Sequence, residues 1–263
     1  MFAWRAFPQE PGASPGAYLT VPALAPSGIH VAFTGRHGGR SNAPFDSLNL
    51  SYASGDDAKH VRANRRRALA AVGGSLESWT GARQVHSPTP VRADASRRGA
   101  GWESPANVIP DADAVWTDTP DVTVVVLTAD CVPIVLADPS GRRVAAVHAG
   151  WRGMIAGVVE RTVEVMEGAD RLSAYVGPSI GPCCYEVGDE VADPATERFG
   201  NVVRTTGGTK RLDLWACALR ALGAAGVREV WPAALCTRCE RNRFFSHRAG
   251  SPGRQGVLAR IAA

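Results

Sequence analysis

The chain has no run of the eighteen or so apolar residues that a helix needs to cross a membrane, since Asp130 interrupts its longest apolar stretch. Residues 1–16 (MFAWRAFPQEPGASPG) lack the basic region followed by an apolar segment that marks a secretory signal. Cysteine is sparse, and six thiols in 263 residues do not make the disulfide framework of a small secreted domain. Charge is nearly balanced at +4, without the basic face interleaved with aromatics that a nucleic-acid binder shows. Internal repeats and compositional boundaries are also missing. These absences point to a reduced, cytoplasmic protein with one domain over residues 1–263, and 45% apolar content suffices for its core.

What is present is concentrated between Val122 and Gly153, VTVVVLTADCVPIVLADPSGRRVAAVHAGWRG. Apolar, β-branched runs at Val122–Leu127, Ile134–Ala137 and Val144–Val147 read as buried strands. They flank Thr128, Ala129, Asp130 and Cys131 and deliver His148, so reactive side chains stand where strands end. Gly150 to Gly153 then opens a helix with Met154, Ile155, Val158, Val159, Thr162, Val163 and Met166 on one stripe. The free amides of that helix start suit an anion, with Trp151 and Arg152 shaping the corner.

Upstream, residues 1–28 are expected to be irregular, most of all the Pro/Gly/Ser-rich segment 8–16. Ile29, Val31 and Phe33 alternate with polar or small residues, the period of a half-buried strand, and lead into a Gly-rich loop carrying Arg36 and His37. That loop reads either as a surface turn or as a set of amides approaching an anion. Asp56 or Asp57 caps a helix that carries Val61, Ala68, Leu69 and Val72 and stops at Gly73; most of Arg62, Arg65, Arg66 and Arg67 are expected to face water. Ala82–Val91 reads as a strand with His86 in its middle, where a lone histidine is more often structural than a ligand. Residues 94–110 read as a long loop, mobile or a lid.

Downstream, Leu172–Val176 and Val227–Leu235 read as strands, and Leu212–Leu222 as an amphipathic helix begun near Asp213. Cys183 and Cys184 follow two Gly-Pro pairs, and Cys236 and Cys239 have C-x-x-C spacing. A structural zinc site needs two further ligands and no second C-x-x-C exists, so both pairs read as packing residues. Phe244 and Phe245, with His247, Arg248 and Arg254, would suit closure over an aromatic, anionic ligand.

In order, FTGRHGG (33–39), SLNL (47–50), NRR (64–66), RQVHS (83–87), TADCVPIVL (128–136), AAVHAGWRG (145–153), GPSIGPCCYEV (177–187) and FFSHR with GR (244–254) closely resemble one family. It is the laccase-domain family, once named multicopper polyphenol oxidases, also peptidoglycan editing factors, and regarded as zinc-containing purine nucleoside phosphorylases. The resemblance spans residues 29–262. It implies an α/β (α+β) single domain, a central mixed β-sandwich flanked by helices in α/β/β/α layers. It also implies His86, Cys131 and His148 as ligands of one zinc ion. Two imidazoles and a thiolate leave the fourth tetrahedral position for water, phosphate or substrate. Copper also suits such a set, but six histidines are too few for several copper centres.

The implied activity is phosphorolysis of adenosine, inosine, guanosine and 5'-methylthioadenosine, with deamination of adenosine beside it and an indirect part in peptidoglycan precursor editing. Zinc, Arg36, Arg248 and Arg254 are the candidates for gathering phosphate. Asp130 either acts as acid and base or orients a histidine. Asn49 and Gln84 are candidate catalytic hydrogen-bonding groups, unless Asn49 ties down its own loop. Arg152, Phe245 and His247 complete the expected substrate-binding set. Two positions depart from the family's usual wording: Gly35 replaces a common threonine and His247 a frequent tyrosine. The competing reading is a zinc-free hydrolase or deamidase with Cys131 as nucleophile and His148 as base. Expected partners are a purine nucleoside and phosphate, with neither nucleic acid nor membrane, for a monomer or weak dimer.

Overall fold

The computed structural model describes residues 1–263. Its strands are β1 (Ala3–Ala6), β2 (Ala17–Thr20), β3 (Ile29–Thr34), β4 (Trp79–Gly81), β5 (Pro90–Arg92), β6 (Ala114–Thr117) and β7 (Thr123–Thr128), then β8 (Val132–Ala137), β9 (Val144–Ala149), β10 (Ser173–Val176), β11 (Val203–Thr206), β12 (Thr209–Leu212), β13 (Glu229–Pro232) and β14 (Gln255–Ile261). The helices are α1 (Ala58–Ala70), α2 (Trp151–Ile155), α3 (Val158–Met166), α4 (Asp189–Phe199) and α5 (Leu214–Ala224). One sheet has the order β1-β2-β3-β14-β7-β4, a second the order β13-β10-β8-β9-β6-β5, and β11-β12 is a separate hairpin.

The period of two along each strand sorts its side chains into layers. Val31, Phe33, Val124, Val126, Val257 and Ala259 of the first sheet meet Val115, Val135, Ala137, Val144, Ala146 and Tyr175 of the second. The alternate residues face outward and are buried too: Ala32, Val125 and Leu258 lie against Leu69 and Val72 at the α1 end of the molecule. Ile134, Leu136 and Val147 pack on Met154, Val158, Val163, Ala218 and Leu222. Strands covered on both faces need apolar residues at every position, which is why the central runs lack alternation. The result is the α/β/β/α layering and mixed α/β fold that the sequence implied.

Several local expectations change. The segment 1–28 is not irregular throughout, because β1 pairs β2 and β2 pairs β3; its longest stretch free of strand and helix is 7–16. Residues 82–89 are not a strand but a link from β4, at the edge of the first sheet, to β5, at the edge of the second. The single helix expected after Gly150 is two, because Gly157 at φ +90 cannot continue α2 into α3. Arg65 and Arg67 are buried, not wet. The Arg65 guanidinium lies between the Tyr52 and Trp79 rings, and its N–H groups donate to the carbonyls of Leu50, Gly101 and Trp102. The chain from 94 to 110 holds two short 3-10 turns and is fixed through Gly81, which accepts from Ile109 N–H and donates to Ala100. Its Gly101, Pro105 and Val108 line the cavity described below.

Candidate metal centre and its cavity

Two crossings between the sheets create the site. β7 belongs to the first sheet and β8 to the second, so Ala129, Asp130 and Cys131 make the passage, with Asp130 at φ +94. Residues 82–89 make the other passage, with His86 at φ +59, in the left-handed region that few side chains favour. His148 comes from β9, where it pairs with Pro133, two residues after Cys131. The three side chains offer donor atoms within 4.8 Å of one another, and Cys131 Sγ stands 3.7 Å from His86 Nε2. Gly150 lets them meet: a Cβ there would fall 2.4 Å from His86 Cδ2 and 3.1 Å from Cys131 Sγ.

The residue that organises this geometry is Asp113, which the sequence reading passed over. It ends the segment before β6, the antiparallel neighbour of β9, and its carbonyl accepts the His148 N–H at 2.7 Å. Its fully buried carboxylate accepts the backbone N–H groups of Val85 (3.0 Å), His86 (3.0 Å) and Ser87 (2.7 Å), pinning the left-handed turn at His86. The same carboxylate meets His148 Nδ1 at 2.7 Å. One group thus sets the backbone of one histidine and the ring of the other, leaving His148 Nε2 for the centre. Burial alone would push the Asp113 carboxyl up, but His148 and the Ser87 and Val85 amides outweigh it and hold it at about 2. The only sequence signal was an acidic residue, Asp113, just before a strand.

Burial also pushes the Cys131 thiol up, yet His148 and His86 bring it down to about 6. His148 is pushed down by burial and raised to about 9 by Cys131 and Asp113. Without a cation the centre is therefore a thiolate beside an imidazolium. Two imidazoles and one ready thiolate, with a carboxylate behind one ring, fit a soft or borderline divalent metal and leave a coordination position open.

The centre lies at a cavity of about 560 Å³, within the range of small-molecule sites. Gln84, His247 and Arg254 line it, as do Arg65, Trp79, Thr128 and, from the long loop, Gly101, Pro105 and Val108. The other expected site residues do not. Arg36 is held between its own loop and the C-terminal segment, donating to the Asp46 and Arg241 carbonyls and pairing with the Asp46 carboxylate at 3.2 Å. Asn49 is fully buried; its amide donates to Ser51, Ser54 and Asp56 and its oxygen accepts the N–H of Arg254, so it ties the loop and seats Arg254.

Gln84 touches the cavity, but both ends of its amide are taken by the backbone of Leu127. Asp130 contacts no histidine: its carboxylate accepts the Thr237 hydroxyl at 2.6 Å and the Arg248 N–H at 2.7 Å. Arg248 stacks on Tyr185 and donates to the Glu186 carbonyl, and Arg152 stacks on Trp151. Phe244 and Phe245 are fully buried core residues, not a closing surface.

Comparison with known proteins agrees with the geometry. The family described as multi-copper polyphenol oxidoreductase laccase matches residues 30–262. A protein of Pseudomonas aeruginosa named purine nucleoside phosphorylase PA4543 is 41% identical over 241 residues, covering 89% of this chain and 94% of the relative. Purine nucleoside phosphorylase YfiH of Escherichia coli is 36% identical over 230 residues, covering 85% and 89%. The crystal structure of YlmD from Geobacillus stearothermophilus superposes with a TM-score of 0.88 at 34% identity, over 98% of this chain and 99% of that one. The chain belongs to the multi-copper polyphenol oxidoreductase laccase family, whose relatives here carry the name purine nucleoside phosphorylase.

Proposed function

We propose that the chain is a zinc-dependent purine nucleoside phosphorylase of the cytoplasm. Its substrates are adenosine, inosine, guanosine or 5'-methylthioadenosine with phosphate, and deamination of adenosine is a side activity. The observation that carries this reading is the convergence of His86, Cys131 and His148 on a cavity of nucleoside size, and the names of the relatives support it. A zinc ion held by these three would supply Lewis acidity at its remaining position. Any effect on peptidoglycan precursors would follow from the nucleoside chemistry.

The chain's own groups divide the remaining work. Phosphorolysis sets phosphate against C1' of the ribose while the purine departs, with positive charge building on the sugar. Arg254, half-buried on the cavity wall, is the cation best placed to hold phosphate, with Arg65, which also lines the cavity, as a fixed positive charge. The Thr128 hydroxyl is buried on that wall without a protein partner and is suited to a ribose hydroxyl or to phosphate. His247, exposed at the rim, is suited to the purine. Gln84 and Asp130 hold the ends of the crossing that carries Cys131 and act by positioning.

A copper oxidase is disfavoured because no further histidine joins this centre or forms a second one. A cysteine hydrolase is favoured by the Cys131–His148–Asp113 row, which also suits a nucleophile, its base and an orienting carboxylate. His86 beside the sulfur argues for a ligand set instead.

The test is adenosine cleavage by protein stripped of metal and then reloaded with zinc, with and without phosphate. Phosphate-dependent release of adenine that is lost in His86→Ala and Cys131→Ser is the expected result. Neither base release nor inosine from the zinc-loaded protein sinks the proposal. Rapid alkylation of Cys131 in metal-loaded protein would favour the hydrolase.

A further inference from the structure

Five of the six cysteines lie away from this centre, and four of them, none used by anything proposed for it, gather with one another. β10 and β13 are parallel neighbours, so the loops that leave them run side by side. Ser179 N–H donates to the Leu235 carbonyl and Thr237 N–H to the Ser179 carbonyl, both at 3.1 Å. This pairing lays the vicinal Cys183 and Cys184 over the C-x-x-C turn of Cys236 and Cys239. Cys239 Sγ stands 3.5 Å from Cys183 Sγ and 3.4 Å from Cys184 Sγ, and all four sulfurs lie within 4.8 Å of one another. The two ligands that a lone C-x-x-C lacks are thus supplied by residues more than fifty positions upstream. The two pairs, expected to pack, thus pack against each other.

We propose that Cys183, Cys184, Cys236 and Cys239 form a tetrathiolate site for one zinc ion, separate from the His86/Cys131/His148 centre. Metal–sulfur bonds of about 2.3 Å in a tetrahedron place the sulfurs about 3.8 Å apart, a few tenths of an ångström beyond the two Cys239 contacts and inside the 4.8 Å within which all four sulfurs lie. Cys236 Sγ receives the Gly181 N–H at 3.2 Å, a donor that stabilises a thiolate. The Arg238 guanidinium rests on the Cys184 carbonyl at 3.2 Å, bringing positive charge to a centre whose four thiolates exceed the charge of the cation. Gly181 keeps the approach open, since a Cβ there would stand 2.9 Å from Trp215 and 3.3 Å from Cys183 Sγ. A disulfide would choose one partner for Cys239, whereas two sulfurs approach it equally; a metal takes both.

Binding would release the thiol protons to solvent and change no oxidation state. Four protein ligands close the coordination sphere, so the site is structural. What it fastens is specific: the 177–187 loop and the 236–239 turn both bond Asp130, through Ile180 N–H to its carbonyl and Thr237 Oγ1 to its carboxylate. The cation would brace the crossing next to Cys131 from behind, whatever reaction the first centre performs.

The test is metal analysis of the full chain purified under reducing conditions, together with cobalt substitution. About two zinc ions per chain are expected for the wild type, and about one each for Cys239→Ser and Cys131→Ser. Because loss of metal from Cys239→Ser would also follow from misfolding, the decisive sample is Cys131→Ser, which should still develop the intense absorption of cobalt in a four-sulfur tetrahedron. Cys131→Ser that takes up no cobalt, or a thiol count showing Cys239 locked in a disulfide in the untreated protein, overturns the proposal. Iron in place of zinc overturns the choice of cation.

Discussion

Asp113 holds the two histidines in register through one carboxylate, and its removal should be felt at the metal before it is felt by the fold. Asp113→Asn keeps the shape but weakens the acceptor behind His148, so zinc affinity is expected to fall about 10–100-fold. Competition with a chromogenic chelator measures this, and a variant that holds zinc as tightly as wild type removes Asp113 from its role. The carboxyl, held at about 2 against about 3.9 in an unfolded chain, stabilises the metal-free fold above pH ~4 and loses that contribution as pH falls toward ~2. A second expectation concerns protons. Between about 6 and about 9 the metal-free pair is thiolate and imidazolium, so zinc must displace a proton from His148. Apparent affinity should rise about tenfold per pH unit across that window and level off above it. Calorimetry in buffers of different ionisation enthalpy counts the proton; zero release between pH 7 and 8 would contradict the pairing.

At the scale of elements, the site depends on two crossings between sheets and on the bare corner where β9 turns into α2. Gly150→Ala would drive a methyl group into the His86 ring and against Cys131, displacing one or both. Loss of more than about tenfold in zinc affinity is expected, with unfolding shifted only by the order of 1–3 kcal/mol. Retained affinity with intact folding would show that the 82–89 link moves freely, against its anchoring by Asp113. Helix boundaries here followed local chemistry: Asp57 caps α1 by accepting from Lys59 N–H, and Asp213 caps α5 by accepting from Ala216 N–H. α4 was not anticipated because Pro194 and four acidic side chains mask its few buried positions, Val191, Ala192, Ala195 and Phe199.

For the whole molecule, the four layers make β14 a central strand although it closes the chain, lying between β3 and β7 in the first sheet. Leu258 points from it into the α1 layer and is fully buried. Leu258→Ala should cost about 2–5 kcal/mol in a denaturant titration, whereas Leu219→Ala on the exposed side of α5 should cost under about 0.5 kcal/mol. Equal effects would mean that the first sheet contributes little to the cooperative unit. The strand escaped sequence reading because Gln255, Gly256 and Arg260 break its apolar pattern. Each has its own partner: Gln255 binds the backbone of Phe245, Gly256 bonds Thr34, and Arg260 pairs with Asp121.

The sequence by itself determined the central strands and the neighbourhood of the α1 and α5 caps, because burial on two faces and capping chemistry each demand particular residue types at particular places; the grouping of His86 with Cys131 and His148 came from the family resemblance. Only the tertiary structure decided that His86 sits in a left-handed turn and not in a strand, since a buried carboxylate from elsewhere outweighs local preference. It also decided that Arg36 and Asn49 brace loops away from the cavity, and that two separate cysteine pairs share one corner. The reason is common to all three. A side chain's type is local, but its partners are set by which strands lie side by side.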